Sequence, residues 1–222
     1  MDISNDYFVR LIDFATLHPT MGETQIRNDA EYAKEMNFAS FCTYPQHMKL
    51  VSKILEDSDV KPIAVIGFPF GNFPAFTKKS EAKFALAGGA RELDMVMNLS
   101  AFRDGVYGYI KQEIMQIVEL AHEADALVKV ILETCHWNTD QLYMACQLAI
   151  EAGADFIKTS TGFAHEGADI QRTYIMLFCA EGRGVGVKAS GGIKTRGQAE
   201  EYIKMGCTRL GIGSAIKGMF NE

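Results

Sequence analysis

From one end of the 222-residue chain to the other, short apolar runs alternate with amphipathic stretches of helical period, about eight times over. The runs occupy 11–16, 39–43, 62–67, 92–97, 128–133, 155–160, 184–189 and 209–213; the stretches between them include 77–87, 107–123, 139–151 and 196–205. A run of five or six mostly apolar residues between helices suits a strand buried on both faces, which is the environment of a parallel sheet covered by helices. Repeated eight times without a change of pattern, the unit predicts an α/β fold in which eight parallel strands close into a (β/α)8 barrel. No linker, low-complexity tract or charge block interrupts it, so residues 1–222 are expected to form a single domain.

A weak internal repeat sets the strands in register. Gly89, Gly153 and Gly206 each end an amphipathic stretch directly before a run, where the left-handed conformation stops a helix and turns the chain. Five residues on from these glycines lie Asp94, Lys158 and Gly211, and five on from Asn37, which also tolerates that conformation, lies Cys42. Equal offsets in equivalent units predict similar heights and facing, so Asp94 and Lys158 are expected to look into one central volume.

Within these runs stand charges that an apolar strand does not tolerate unless they are paired or functional: Asp94, Lys129, Glu133, Lys158 and Lys188. Two of them open the same motif, Lys158-Thr-Ser-Thr-Gly162 and Lys188-Ala-Ser-Gly-Gly192, both K-x-S-x-G and 30 residues apart. A buried amine at a strand end is a candidate nucleophile for Schiff-base chemistry, and a second ammonium nearby keeps the first partly deprotonated. Active sites of such barrels lie at the C-terminal ends of the strands, so Glu133, Lys158, Lys188 and Asp94 are favoured over Lys129, which sits lower. For one charge alone a buried ion pair without function is as good a reading; two lysines and a carboxylate together weaken it.

The late loops are rich in glycine. Gly162, Gly191 and Gly192, and Gly211-Ile-Gly213-Ser214 follow strands whose loops commonly supply backbone amides to a phosphate, and Lys194 would add charge there. Glycine also serves tight strand-to-helix turns, so each segment alone says little. Cys42 ends a strand, although a buried thiol packing as a small apolar group explains it better than a reactive one. Phe68, Phe70, Phe73 and Phe76 are read as loop packing, and His136 and Trp137 as packing or lining of the barrel mouth.

Composition narrows the function classes. With 22 basic and 28 acidic residues, a net charge of −6 leaves no basic footprint for nucleic acid. No apolar run reaches membrane-spanning length, and Met1 to Asp6 lack the cationic and apolar parts of a secretion signal, so a cytoplasmic protein away from membranes is expected. The five cysteines are odd in number with no C-x-x-C and read as reduced thiols; the five histidines show no H-x-x-x-H or H-E-x-x-H spacing, which leaves a metal-dependent mechanism little support.

The segments Phe156-Ile-Lys-Thr-Ser-Thr-Gly-Phe163, Gly186-Val-Lys-Ala-Ser-Gly-Gly-Ile193, Glu92-Leu-Asp-Met-Val-Met-Asn98, Val65-Ile-Gly-Phe-Pro69, Val130-Ile-Leu-Glu-Thr134 and Phe41-Cys-Thr-Tyr-Pro45, in this chain from about Leu11 to Ser214, closely resemble the deoxyribose-phosphate aldolase family. The resemblance implies a metal-free and cofactor-free class I aldolase that reversibly cleaves 2-deoxy-D-ribose 5-phosphate to glyceraldehyde 3-phosphate and acetaldehyde. It implies Lys158 as the Schiff-base lysine, Lys188 as the lysine that lowers its pKa, and Asp94 as the carboxylate of the proton relay. Asp13, Cys42, Thr161, Gly162, Gly191, Gly192, Lys194, Gly213 and Ser214 are the expected contacts to substrate and phosphate. The chain departs from the family pattern at Ala15, which has no hydroxyl, at Gly213-Ser214, where the family shows two adjacent serines, and after Phe220, where some members carry a tyrosine. These departures keep open a related Schiff-base aldolase with another acceptor aldehyde; a non-catalytic phosphosugar-binding barrel is the alternative outside enzymes. A homodimer is expected, as for many enzymes of this size.

Overall fold

In the computed structural model, which describes residues 3–220, all eight expected strands are present. They are β1 (Ile12–Ala15), β2 (Ser40–Thr43), β3 (Lys61–Ile66), β4 (Glu92–Val96), β5 (Leu127–Ile131), β6 (Phe156–Lys158), β7 (Gly186–Ser190) and β8 (Arg209–Ile212). Every neighbouring pair is parallel, the order around the barrel is the order in sequence, and β1 closes on β8 through Asp13↔Gly211. The helices are α1 (Asn5–Val9), α2 (Glu23–Glu35), α3 (Met48–Ile54), α4 (Ala75–Ala87), α5 (Leu99–Arg103), α6 (Tyr107–His122), α7 (Thr139–Glu151), α8 (Ile170–Ala180) and α9 (Arg196–Met205). Among the described residues, no helix is long and apolar enough to cross a membrane. Asn221 and Glu222, at the end where some family members carry a tyrosine, lie outside the described residues, as do Met1 and Asp2.

The chain reversals fall where the repeat places them. Gly89, Gly153 and Gly206 have φ of +100°, +88° and +115°, and Asn37 takes +53°. Each sends the chain from a helix end back into the sheet, a step a β-branched residue would strain. Helices α7 and α9 start in capping boxes, Asn138 with Gln141 and Thr195 with Gln198. Such a box satisfies two of the free amides at a helix start and so fixes where the helix begins.

Residues that alternate along each strand divide the interior in two. Outward-facing Phe14, Phe41, Ala64, Leu93, Val128, Ile157 and Leu210 pack beneath the helices in the main apolar core. The inward positions instead carry charge. Their carboxylates, Asp13, Glu92 and Asp94, come from β1 and β4, and their cations, Lys129, Lys158, Lys188 and Arg209, come from β5 to β8. A small apolar group of Leu17, Cys42, Ile63 and Val65 fills the rest of the interior on the β2–β3 side.

Strand limits shift slightly from the sequence reading. The sixth strand ends at Lys158, and beyond it side chains take part in the bonding to β7: the Thr159 hydroxyl donates to the Ser190 carbonyl at 3.0 Å, and the Ser190 hydroxyl to the Ser160 carbonyl at 2.5 Å. The seventh begins at Gly186 since Gly182 and Gly184, with φ of +69° and +71°, are spent in the turn before it.

Candidate active site

Adjacent strands bring the two lysines together. Lys158 and Lys188 are Cα partners across β6 and β7, so their side chains leave the sheet side by side into the barrel. Both reach one oxygen of Asp94 on β4: Lys158 Nζ lies 2.8 Å and Lys188 Nζ 2.7 Å from its Oδ2. The other oxygen, Oδ1, accepts from Lys129 Nζ at 3.0 Å. The expectation that Asp94 and Lys158 share one volume therefore holds, and all three groups are buried.

Beneath this triad lies a second tier of charge. Lys188 Nζ is 2.6 Å from Asp13 Oδ2, and Asp13 also accepts from Arg209 and from the Ser40 hydroxyl, each at 2.6 Å. Lys129 and Arg209 both bind Glu92, Arg209 at 2.9 Å through its second nitrogen. The Phe156 ring spreads under these cations, 5.8 Å from Lys129 Nζ and 5.7 Å from Arg209 Cζ. Four cations thus face three carboxylates, and the interior is neutral when one lysine is uncharged.

The lysine that gives up its proton most easily is Lys158. Burial pushes its pKa down and Lys188 pushes the same way, with only Asp94 opposing strongly, and the net shift is downward. For Lys188 burial also disfavours the charge, but Asp13 and Asp94 together outweigh it and hold its pKa above the usual lysine range. Burial alone would raise the pKa of Asp94; Lys129, Lys158 and Lys188 overcome it, so the group stays a carboxylate. The proton of one lysine is thus loosened and that of its neighbour held more tightly, by their different partners.

Above the triad a cavity of about 450 Å³ opens at the C-terminal ends of the strands, and Lys158 and Lys188 form part of its wall. Thr161, Gly162, Gly191, Gly192, Gly213 and Ser214, all expected contacts, line it. Three expected contacts do not. Asp13 is fully buried beneath Lys188, its Oδ1 accepting from Arg209 and Ser40 and its Oδ2 ion-paired with Lys188, so it lies beside that lysine and away from the cavity. Cys42 is buried in the apolar group against Ile63 and Val65, and burial, with Asp94 nearby, pushes its thiol up to about 12, which fits the packing role. Lys194 is exposed on the run into α9, away from the cavity wall.

Other residues enter the site that the sequence did not single out. Lys217, in the 3₁₀ turn Ser214–Gly218 after β8, lines the cavity and binds Asp29 on α2 at 2.7 Å. Asp29 also accepts from Thr16 and Gln25, both at 2.9 Å. Glu133, grouped with the candidate catalytic charges, takes a left-handed turn at φ +52° and accepts both the backbone N–H and the hydroxyl of Thr161. It holds the loop after β6 and does not join the triad. Trp137 packs on Phe102 and donates its indole N–H to the Leu132 carbonyl at 2.7 Å, so it belongs to the wall's support. Of these phenylalanines only Phe68 packs as expected, edge-on to Tyr44 and Phe163; Phe70 and Phe73 are exposed because the loop after β3 runs over the surface, and Phe76 is exposed on the first turn of α4.

Close backbone approach is built into the site at Gly211. A Cβ there would come within 2.6 Å of Ser190 Cβ and 3.1 Å of Lys188 Cε, so glycine leaves the room Lys188 needs to run up to Asp94.

The sequence and the fold have close relatives among known proteins. The chain is 44% identical to the deoxyribose-phosphate aldolase of Thermococcus kodakarensis over 94% of its own length and 93% of the relative's, and 41% identical to that of Bacillus cytotoxicus over 96% and 95%. Among solved structures it superposes on an aldolase designated QR15 with a TM-score of 0.90 at 39% identity, covering 96% of this chain and 94% of the other. On the deoxyribose-phosphate aldolase of Aeropyrum pernix, described as a unique tetramer, the TM-score is 0.90 at 35% identity, covering 96% and 90%. A family model for the DeoC/LacD family aldolases matches residues 9–211, all eight strands but the last residue of β8. A barrel that sets two buried lysines on one carboxylate, and that matches the family model over residues 9–211 and such relatives over more than nine-tenths of its length, belongs to the DeoC/LacD aldolase family.

Proposed function

We propose that this chain is a class I deoxyribose-phosphate aldolase working through a Schiff base on Lys158. The observation that carries the reading is the shared contact of Lys158 and Lys188 with Asp94 Oδ2, with Lys158 the one whose proton is loosened. The neutral Lys158 amine adds to the C1 aldehyde of the open-chain sugar, and loss of water gives an iminium ion. A base takes the proton of the C3 hydroxyl, the C2–C3 bond breaks, and its electron pair flows into the iminium to form an enamine while glyceraldehyde 3-phosphate leaves. Protonation of the enamine carbon and addition of water then release acetaldehyde and restore the amine.

Asp94 and Lys188 carry the protons in this scheme. A carboxylate held ionised is a weak base alone, so we assign the transfer to a water hydrogen-bonded to Asp94, with the Lys188 ammonium stabilising the developing oxygen charges. Backbone amides at Gly162, Gly191, Gly192 and Gly213, with Ser214, receive the phosphate at the other end of the cavity. Lys217 supplies the nearby charge in place of Lys194. Asp13 enters as a positioning residue that keeps Lys188 charged.

The cytoplasm is the proposed location, supported by five cysteines that are all unpaired thiols. A homodimer is the proposed assembly. Ile170, Tyr174 and Phe178 fall four residues apart along one face of α8 and are all exposed, a spacing and chemistry suited to a self-complementary contact.

The test is a retro-aldol assay of the purified protein on deoxyribose 5-phosphate with free deoxyribose alongside, and borohydride reduction in the presence of acetaldehyde. Acetaldehyde release from the phosphorylated sugar and an ethyl adduct on the peptide carrying Lys158 are expected. An adduct on Lys188 would overturn the assignment of the nucleophile, and no cleavage of either sugar would overturn the activity.

A further inference from the structure

Beside the barrel mouth the fold assembles a donor set that linear spacing hides. Cys135 and His136 sit in the 3₁₀ turn Thr134–His136 after β5, and His165 lies in the loop between β6 and α8, 29 residues further on. One ligating atom from each, a thiol sulfur and two imidazole nitrogens, lies within 4.8 Å of the others. The two imidazole rings are neighbours, tilted by 42° with centroids 5.7 Å apart. We infer that Cys135, His136 and His165 form a binding site for a single divalent transition-metal ion of the zinc class, with solvent in the fourth position.

The donors choose the ion. A thiolate with two imidazoles suits a borderline-soft tetrahedral metal and offers nothing to magnesium or calcium, which take oxygen ligands. The nearby carboxylates are already engaged: Glu133 holds Thr161, and Glu166 binds Arg172 at 2.5 Å. Metal–ligand bonds of about 2.0–2.3 Å bring tetrahedral donors to roughly 3.3–3.6 Å from one another, so the trio must draw in by about an ångström. Both imidazoles are exposed side chains, so the closing movement falls on their side-chain torsions, while hydrogen bonds hold the turn's backbone. The His136 backbone N–H donates to the Glu133 carbonyl at 3.2 Å, and the His136 backbone carbonyl accepts from Arg103 at 3.1 Å.

On binding, the Cys135 thiol releases its proton to solvent as the sulfur–metal bond forms, and the imidazoles bind as neutral donors, with no change of oxidation state. None of the three residues lines the cavity that holds Lys158, so the ion takes no part in the bond-breaking step. Its effect is mechanical. It ties the turn after β5 to the loop after β6, the segments already joined by Glu133 and Thr161, and that loop in turn donates the Ala168 N–H to the Gly191 carbonyl at 2.9 Å.

The experiment is titration of EDTA-stripped, fully reduced protein with Co²⁺ alone, followed by Zn²⁺. One equivalent of cobalt should raise visible bands of tetrahedral intensity and a thiolate-to-cobalt charge-transfer band, and zinc should bleach both. Cys135→Ser should abolish the charge-transfer band, and His165→Gln, a change at an exposed side chain, should weaken binding at least tenfold; His122→Gln should leave the titration unchanged. Zinc should also raise the melting temperature of the unaltered protein and not that of His165→Gln. No tetrahedral spectrum at one equivalent, or a spectrum that survives both Cys135→Ser and His165→Gln, would overturn the site.

Discussion

Replacing Lys188 by methionine keeps most of the buried volume and removes one charge, and its effect on Lys158 can be worked from the contacts. Both Nζ atoms touch the same oxygen of Asp94, at 2.8 and 2.7 Å, so they are at most 5.5 Å apart. At an effective dielectric constant of ~20, two like charges at that distance repel by about 3 kcal/mol, equivalent to about two pKa units. Taking Lys188 away also leaves Asp13 and Asp94 with less compensation, and both carboxylates then hold the Lys158 proton more tightly. Every contribution has the same sign. In the proposed mechanism Lys158 attacks as the neutral amine, so the pH at which adduct formation reaches half its maximum should rise by about two units, and at pH 7 the reactive fraction should fall about 100-fold. The assay is the initial rate of borohydride-trapped ethyl adduct at Lys158 against pH, which isolates the first step from later proton transfers. A folded Lys188→Met protein whose midpoint moves by less than half a unit, or downward, would refute the tuning argument.

Three further outcomes test the rest of the site. Asp94→Asn should still trap acetaldehyde yet turn over at least ~100-fold more slowly, the scale for losing an acid/base group; comparable loss in trapping and turnover would assign Asp94 to building the site alone. Gly211→Ala should cost about 1–3 kcal/mol, since Ser190 Cβ stands 2.6 Å from the new methyl group and is fixed to the backbone, and a thermal melt should fall by roughly 2–4 °C per kcal/mol; an unchanged melt with full activity would show that β7 and β8 part freely. Lys217→Ala should raise KM for deoxyribose 5-phosphate about tenfold or more while sparing free deoxyribose, the scale of a bond to a charged group, whereas Lys194→Ala should change neither; the reverse order would return the phosphate charge to Lys194.

The barrel and its triad were readable because each left a local mark. Helix-ending Gly89, Gly153, Gly206 and Asn37 set the register, and Asp94, Lys158 and Lys188 stand out as charges in apolar strands. Depth was not readable in this way. Asp13 and Cys42 sit in strands as Asp94, Lys158 and Lys188 do, yet the stagger of a closed barrel leaves one beneath Lys188 and the other against Ile63 and Val65. Glu92 and Arg209 begin their strands, where a charge usually means solvent, and only closure of the sheet turns them inward to meet. Loop residues were harder still: nothing in the spacing of Lys194 and Lys217 tells which one the turn after β8 carries to the cavity, and Cys135, His136 and His165 become neighbours only when two loops meet.

The division of charge inside the barrel bears on how it can be built. Cut between β4 and β5, the chain would yield one fragment holding Asp13, Glu92 and Asp94 and another holding Lys129, Lys158, Lys188 and Arg209. Neither piece could close on itself without crowding like charges into a space shut off from water, whereas each is the counterion of the other. Half-barrels of this protein should therefore stay open as separate polypeptides and recombine as a one-to-one pair. The same electrostatics would penalise a dimer of identical halves, so the interior selects against internal duplication and for the full, asymmetric ring.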